Sequence, residues 1–170
     1  MNLVVGATGN VGGAVCEALS GQDKPVRAMV RETSDPGRVR RLEELGAEVV
    51  RGELRDPDSL ARACDGVTTV VSGATTIGSL GTDSIGAVDG DGQLSLVDSA
   101  RSAGVGHFIY VSYTRHVDTD DPLTQAKRAV EERLRVGDGV HDPASELLHG
   151  DVAGPGTGLG AGRRQGAGTR

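Results

Sequence analysis

Tryptophan is absent from this chain, and aromatic residues are confined to Phe108, Tyr110 and Tyr113, 2 % of the sequence. A basic excess is also missing. Eighteen Lys and Arg stand against 24 Asp and Glu, for a formal net charge of −6 and a pI of about 5.2. No nucleic-acid partner is expected of such a surface. Cysteine is reduced to Cys16 and Cys64, both in helix-like segments. Two cysteines make no disulfide framework, so a reduced, cytoplasmic protein is expected. Long apolar runs are lacking too. None approaches the roughly 20 residues that cross a bilayer, so no membrane partner is expected. The start, MNLVVGATG, has no basic segment ahead of its apolar run and does not read as a signal peptide.

Glycine is the abundant residue. There are 27, and ten of them lie in the last 34 positions. The composition changes near Gly137, which divides the 170 residues into a patterned part, 1–136, and a Gly-rich tail, 137–170.

In the first part, short apolar runs (NLVVGA, VRAMVR, AEVVRG, VTTVVSG, HFIYVSY) are bounded by glycine or polar residues, as buried strands are. Helix-like segments alternate with them. NVGGAVCEALSG puts Val11, Ala14, Val15 and Ala18 on one face, and PGRVRRLEELG opens on Pro36 and closes on Gly46. DPDSLARACDG, DGQLSLVDSARSAG and PLTQAKRAVEERLRVG follow. Strictly alternating strands and helices imply an α/β fold with a doubly wound parallel sheet, the Rossmann fold, in the order 3-2-1-4-5. One stretch, Thr75 to Asp91, shows no period of either kind.

Gly6, Gly9 and Gly12 fall where the first strand turns into the first helix. Each spacing has a physical use. Gly6 permits the tight turn, Gly9 lets backbone approach a pyrophosphate, and Gly12 lets the helix pack against the strand. The helix start then offers free N–H groups and the positive end of its dipole. The second strand ends at Arg31, followed by Glu32. An acid at that position holds the ribose of NAD, whereas an Arg suits the 2′-phosphate of NADP. Two readings of Arg31 stay open, a guanidinium fork for phosphate or a solvated strand-end charge.

GATGNVGGAV, VRAMVR, GELRDPDSL, DGQLSLVDSARSAGVGHFIYVS and AKRAVEERLR, in that order, resemble the NmrA-like, quinone-oxidoreductase-type branch of the atypical short-chain dehydrogenases. The resemblance covers residues 1 to about 136. It implies NADP as cofactor, NADPH preferred over NADH, and reduction of a small-molecule quinone or carbonyl substrate. It equally allows a regulatory module that senses NADP(H) and reports to a protein partner without turnover. Gly6, Thr8, Gly9, Asn10, Val11 and Gly12 match the phosphate loop, and Arg31 the 2′-phosphate contact. Glu53 stands where the family has an acid near the adenine, and is otherwise a solvated turn residue. Gly73 and Ala74 match the end of the fourth strand, on the nicotinamide side. Ser112 and Lys127 match the catalytic Ser and Lys of the wider superfamily; Lys127 is alternatively an exposed helix charge. The superfamily's tyrosine, four residues before that lysine, is Leu123 here. This removes the usual proton donor. Asp118 to Asp121 read as a solvated loop, and no metal site is expected.

The tail departs from the family. GDGVHDPASELLHGDVAGPGTGLGAGRRQGAGTR reads as having no strand, so the sheet is expected to stop after its fifth strand and the helix that follows. The resemblance implies a sixth strand here, of the kind Ser-Gly-Leu-x-Tyr-Thr-Ile-Leu-Arg-Pro. Codons permitted for Val136 to Glu146, read one base later, allow Ser-Gly-Met-Glu-Tyr-Thr-Ile-Leu-Arg-Pro-Ser. The tail is thus expected to be either frame-shifted near Val136 or a flexible low-complexity segment. On the first reading the loss of substrate-side structure would leave this chain a poor catalyst.

Overall fold

The computed structural model describes residues 1–76, 84–112 and 119–136, together with the backbone of 147–149. Five strands form the body of the sheet: β1 (Asn2–Val5), β2 (Val26–Val30), β3 (Glu48–Arg51), β4 (Thr69–Ser72) and β5 (His107–Ser112). The helices α1 (Asn10–Ser20), α2 (Pro36–Glu44), α3 (Pro57–Cys64) and α4 (Gln93–Ser102) connect them, and α5 (Pro122–Arg135) follows β5. All strand pairs are parallel, and the order is β3-β2-β1-β4-β5. This is the doubly wound Rossmann arrangement. Its reversal of direction falls between β1 and β4, the crevice where such sheets bind ligands.

The period of two in β1 sets up two cores. Leu3 and Val5 join Met29, Leu60, Val70, Leu96, Phe108, Tyr110, Val130 and Leu134 on the face covered by α3, α4 and α5. Val4 joins Ala28, Val30, Cys16, Val39 and Leu42 on the face covered by α1 and α2. Both thiols are buried, and desolvation pushes each up to about 11, so neither is reactive at neutral pH.

Three helices begin alike. Asp35, Asp56 and Asp121 each precede a proline, and each carboxylate accepts backbone N–H groups of the first turn. Proline gives up no donor there, because its missing N–H would have had no partner inside the helix.

The face of α1 is a correction to the sequence pattern. The buried side of this helix is formed by Gly12 and Cys16, whereas Val11, Ala14 and Ala18 are exposed and Val15 is half-buried. Gly12 sets this rotation. A Cβ there would stand 2.2 Å from the Gly6 carbonyl oxygen, so the Gly12 side must face the loop. Among the described residues, the regular alternation of strand and helix ends with β5 and α5, as expected. Beyond it, the described part of the tail adds a short strand that its composition does not announce. Leu147–His149, here β6, pairs in parallel with Tyr110–Ser112 and extends the order to β3-β2-β1-β4-β5-β6. Three residues are too few to show as an apolar run.

Candidate functional site

Because the sheet is parallel, the carboxyl ends of its strands share one edge. Gly6, Arg31, Glu53, Gly73 and Ser112 all lie along it, just past or at the ends of β1 to β5.

Gly6 has φ +81°, and a Cβ on it would stand 2.8 Å from the Ala74 amide nitrogen. The end of β1 thus lies against the end of β4, and only glycine fits both the dihedral and the gap. Gly9 caps α1 in extended conformation, with no side-chain cap bond and no acid in the first turn of the helix. Its N–H donates to the Gly6 carbonyl at 2.9 Å, which closes the loop. Asn10 and Val11 are exposed at the start of the helix. A Cβ on Gly73 would touch Val11 Cγ1 at 3.5 Å, so the end of β4 also borders this helix start. The result is a bare helix N-terminus with its dipole uncompensated, at the point where the sheet reverses. An anion finds N–H donors there and no carboxylate in the first turn of the helix.

Thr8 is half-buried, and its carbonyl accepts from Arg38 Nη1 at 2.6 Å. Nothing in the sequence pattern marks Arg38. Its helical position, two residues after Pro36, is visible there, but its reach back to the loop depends on the packing of α2 against α1. A cavity of about 320 Å³ lies between these helices, lined by Thr8, Gly9, Asn10, Glu17, Arg38 and Arg41 among others. Arg31 is exposed directly after β2; its N–H donates to Ser34 Oγ and its carbonyl accepts from Arg51 Nη1. Glu53 is half-buried after β3. Its backbone N–H and carbonyl are both bonded to Ser59 Oγ, and its carboxylate lies 3.9 Å from Arg55 Nε.

The β4–β5 side holds a buried polar layer. The Ala74 carbonyl accepts from Gln93 Nε2 at 2.9 Å, and Gln93 Oε1 accepts from Ser72 Oγ at 2.8 Å. Ser112, 6 % exposed, donates its hydroxyl to Glu131 at 2.7 Å. Glu131 is also paired with Arg128 at 2.6 Å and Arg135 at 3.4 Å. Lys127 is 4 % exposed, so it is not the exposed helix charge that one reading allowed. Its Nζ approaches the Val111 carbonyl at 3.5 Å and stands 5.2 Å from the centroid of the Tyr110 ring. Burial pushes the lysine below its ordinary value, against the pull of Asp89 and Glu131. The structure thus brings Ser112 and Lys127 to one end of β5, with the serine hydroxyl committed to α5.

Leu123 is half-buried in the first turn of α5. Asp121 accepts from the Leu123 and Thr124 amides and from the hydroxyls of Thr119 and Thr124. It is a helix cap. Tyr113 and Asp118 lie outside the described residues.

The NmrA-like family profile matches residues 2–141. The chain belongs to the NmrA-like family. It is 30 % identical over 135 residues to the photosystem II assembly factor Ycf39 of Trieres chinensis, a match that covers 78 % of this chain and 41 % of that protein. It is 33 % identical over 109 residues to the NAD(P)H azoreductase of Xenophilus azovorans, covering 64 % and 34 %. The structure of a Citrobacter sp. triphenylmethane reductase with NADP(H) superposes with a TM-score of 0.63 at 27 % identity, covering 79 % and 45 %. The chain therefore spans less than half the length of each of these proteins. Among the described residues no helix is long and apolar enough to cross a membrane.

Proposed function

We propose that this chain is the dinucleotide-binding part of an NADPH-dependent oxidoreductase that reduces a quinone or a similar small carbonyl acceptor. The observation that carries this reading is the loop from Gly6 to Gly12. Contacts of 2.2 and 2.8 Å exclude a side chain at Gly12 and at Gly6, and the loop opens an uncapped helix at the reversal point of the sheet. A family relative and a structural neighbour whose names give NAD(P)H azoreductase and triphenylmethane reductase support the cofactor class and a small conjugated acceptor.

NADPH, when bound, supplies the hydride. The chain's own residues do the rest. The first-turn N–H groups of α1, with Thr8, Asn10 and Val11 around them, would hold the pyrophosphate. Arg31 would hold the 2′-phosphate as a charge-assisted fork, and Glu53 would border the adenine. Gly73 and Ala74 would lie under the nicotinamide, with no side chain larger than a methyl in the way. Lys127 would donate to the nicotinamide ribose. With leucine at position 123, Lys127 would also be a group at this edge suited to handling a proton, since burial lowers it from its ordinary value.

The test is calorimetric titration of the chain with NADPH, followed by NADPH oxidation against a panel of benzo- and naphthoquinones. Absence of binding by any nicotinamide dinucleotide would overturn the reading. Leu123, in place of a hydroxyl donor, favours a second reading, in which the same site senses NADP(H) for a protein partner. Stoichiometric NADPH binding with no oxidation by any quinone is the outcome that reading expects.

A further inference from the structure

The stretch without a readable period, Thr75 to Asp91, runs into a π-helical segment, Gly86–Gly92, that leads directly into α4. Such wide turns are rare and recur at functional sites. This one requires glycine at its last position. A Cβ on Gly92 would stand 2.8 Å from the Ala87 carbonyl and 2.9 Å from Leu54 Cβ, and one on Gly90 would touch Ala126 of α5 at 3.7 Å. The segment is therefore pressed between α5 and the chain after β3. At its centre it buries a charge. Asp89 is 0 % exposed.

The two oxygens of Asp89 do different things. Oδ2 accepts from the Thr76 amide at 2.9 Å and from the Thr76 hydroxyl at 2.7 Å. Oδ1 is buried with no hydrogen-bond partner among the described residues, and Lys127 Nζ stands 4.0 Å from it. Thr76 is two residues beyond Ala74, past the end of β4. One carboxylate thus spans from the β4 side of the site to the lysine on α5.

We propose that Asp89 is a positioning residue, which fixes the Lys127 ammonium relative to the end of β4. The proposal rests on the oxidoreductase reading only for what Lys127 does in the reaction; the coupling between the two groups stands by itself. Among the described residues, the other groups facing Lys127 do not take this place. Glu131, on its own helix, is already bonded to Ser112, Arg128 and Arg135. From β5 come the Tyr110 ring and the Val111 carbonyl. From α4, Gln93 is neutral and occupied with Ser72 and Ala74, while Asp98 and Arg101 pair outward, with the Arg133 side chain and with the carbonyls of Arg133 and Val136. A role limited to anchoring Thr76 needs no charge. An asparagine would accept the same two bonds, so the charge of Asp89 is explained by the cation opposite it.

The chain makes this measurable, because Lys24 and Lys127 are its only lysines. Lysine labelled with ¹³C at Cε gives two signals, with exposed Lys24 as internal reference. Their titration is compared between the native chain and Asp89→Asn, with thermal melts of both. An opposite charge at this range moves a pKa by roughly one unit or more. Expected is a downward shift of that size for Lys127 in Asp89→Asn, with Lys24 unmoved. The pH profile of NADPH-dependent reduction should show one limb moving the same way. An unchanged Lys127 midpoint in a folded variant overturns the proposal. If Asp89→Asn does not melt cooperatively, the double variant Asp89→Asn/Lys127→Met reads the coupling from the other side. It should recover cooperative melting, because the buried cation left without its counter-charge is gone, and a double variant that melts no better than Asp89→Asn overturns the proposal. If the native chain binds no NADPH, the oxidoreductase reading fails while the lysine titration still decides the coupling.

Discussion

Gly6, Gly9 and Gly12 look equivalent in the sequence, yet the structure loads them differently. Gly12 cannot carry a side chain, because its Cβ would overlap the Gly6 carbonyl oxygen at 2.2 Å. Gly9 is exposed, and a Cβ there meets only the Gly6 carbonyl at 3.1 Å. Gly12→Ala is therefore expected to destabilise the fold by about 1–3 kcal/mol, the usual cost of overpacking. Gly9→Val should leave the melting temperature closer to native and abolish NADPH binding, since its side chain points into the space claimed for the pyrophosphate. Melts and calorimetry on both variants check this; a Gly9→Val chain that binds NADPH with native affinity removes the loop from the site. On the proposed reading, Arg31 sets the preference between the two nucleotides. Hydrogen bonds to charged groups are worth about 1.5–3 kcal/mol, so NADPH should bind about ten- to a hundredfold more tightly than NADH. Arg31→Ala should erase that ratio, and equal affinities in the native chain would exclude the 2′-phosphate contact.

Strands and helices are largely legible in the sequence because their signals are local. The apolar run of β1 and the Asp-Pro starts of α2, α3 and α5 announce themselves without tertiary context. What is not legible depends on contacts between elements. The face of α1 escapes the apolar pattern because Gly12, counted as neither polar nor apolar, sets the rotation of the helix. The π-helical segment is hidden because GAVDGDG carries no period, and the charged group nearest to buried Asp89, Lys127 at 4.0 Å, lies 38 positions later in the chain. The cap of α5 yields a pH prediction. Hydrogen bonds from Thr119 first, then Thr124, hold the Asp121 carboxyl well below its ordinary value of 3.8. A carboxyl depressed in the folded state adds stability above its unfolded pKa, and that stability is lost as pH falls below it. Asp121→Asn keeps an acceptor for the first-turn amides and removes the charge. It should lower the melting temperature at neutral pH, and the gap to the native chain should close on acidification below about pH 4. A gap that stays constant from pH 7 to pH 3 would mean that the charge of Asp121 contributes nothing.

At the scale of the molecule, the side of β5 away from β4 is the one to watch, since among the described residues only its second half is paired there. β6 pairs only with Tyr110–Ser112, so the first half of β5, His107–Ile109, gains nothing from it. A sheet edge left with free N–H and C=O groups beside apolar side chains invites pairing between chains. The tail is poorly equipped to cover it. Ten of its 34 residues are glycine, and ordering each residue costs about 1–2 kcal/mol. Apolar burial returns about 25 cal/mol per Å², and this segment has little apolar surface to bury. Whole domains hold only about 5–15 kcal/mol of stability, so a sixth strand of three residues in place of a longer one would give up part of that margin. The one-base shift near codon 136 would replace this tail with Ser-Gly-Met-Glu-Tyr-Thr-Ile-Leu-Arg-Pro-Ser, a segment with the strand formers to pair along the side of β5 where β6 is short. Expressed side by side, the corrected chain should melt cooperatively at higher temperature, stay monodisperse and reduce quinones with NADPH. The 170-residue chain should aggregate on heating and turn over slowly. Equal melts, equal association states and equal activity in the two would show that the tail belongs to the protein as it stands, and that the edge of β5 is protected by the chain already present.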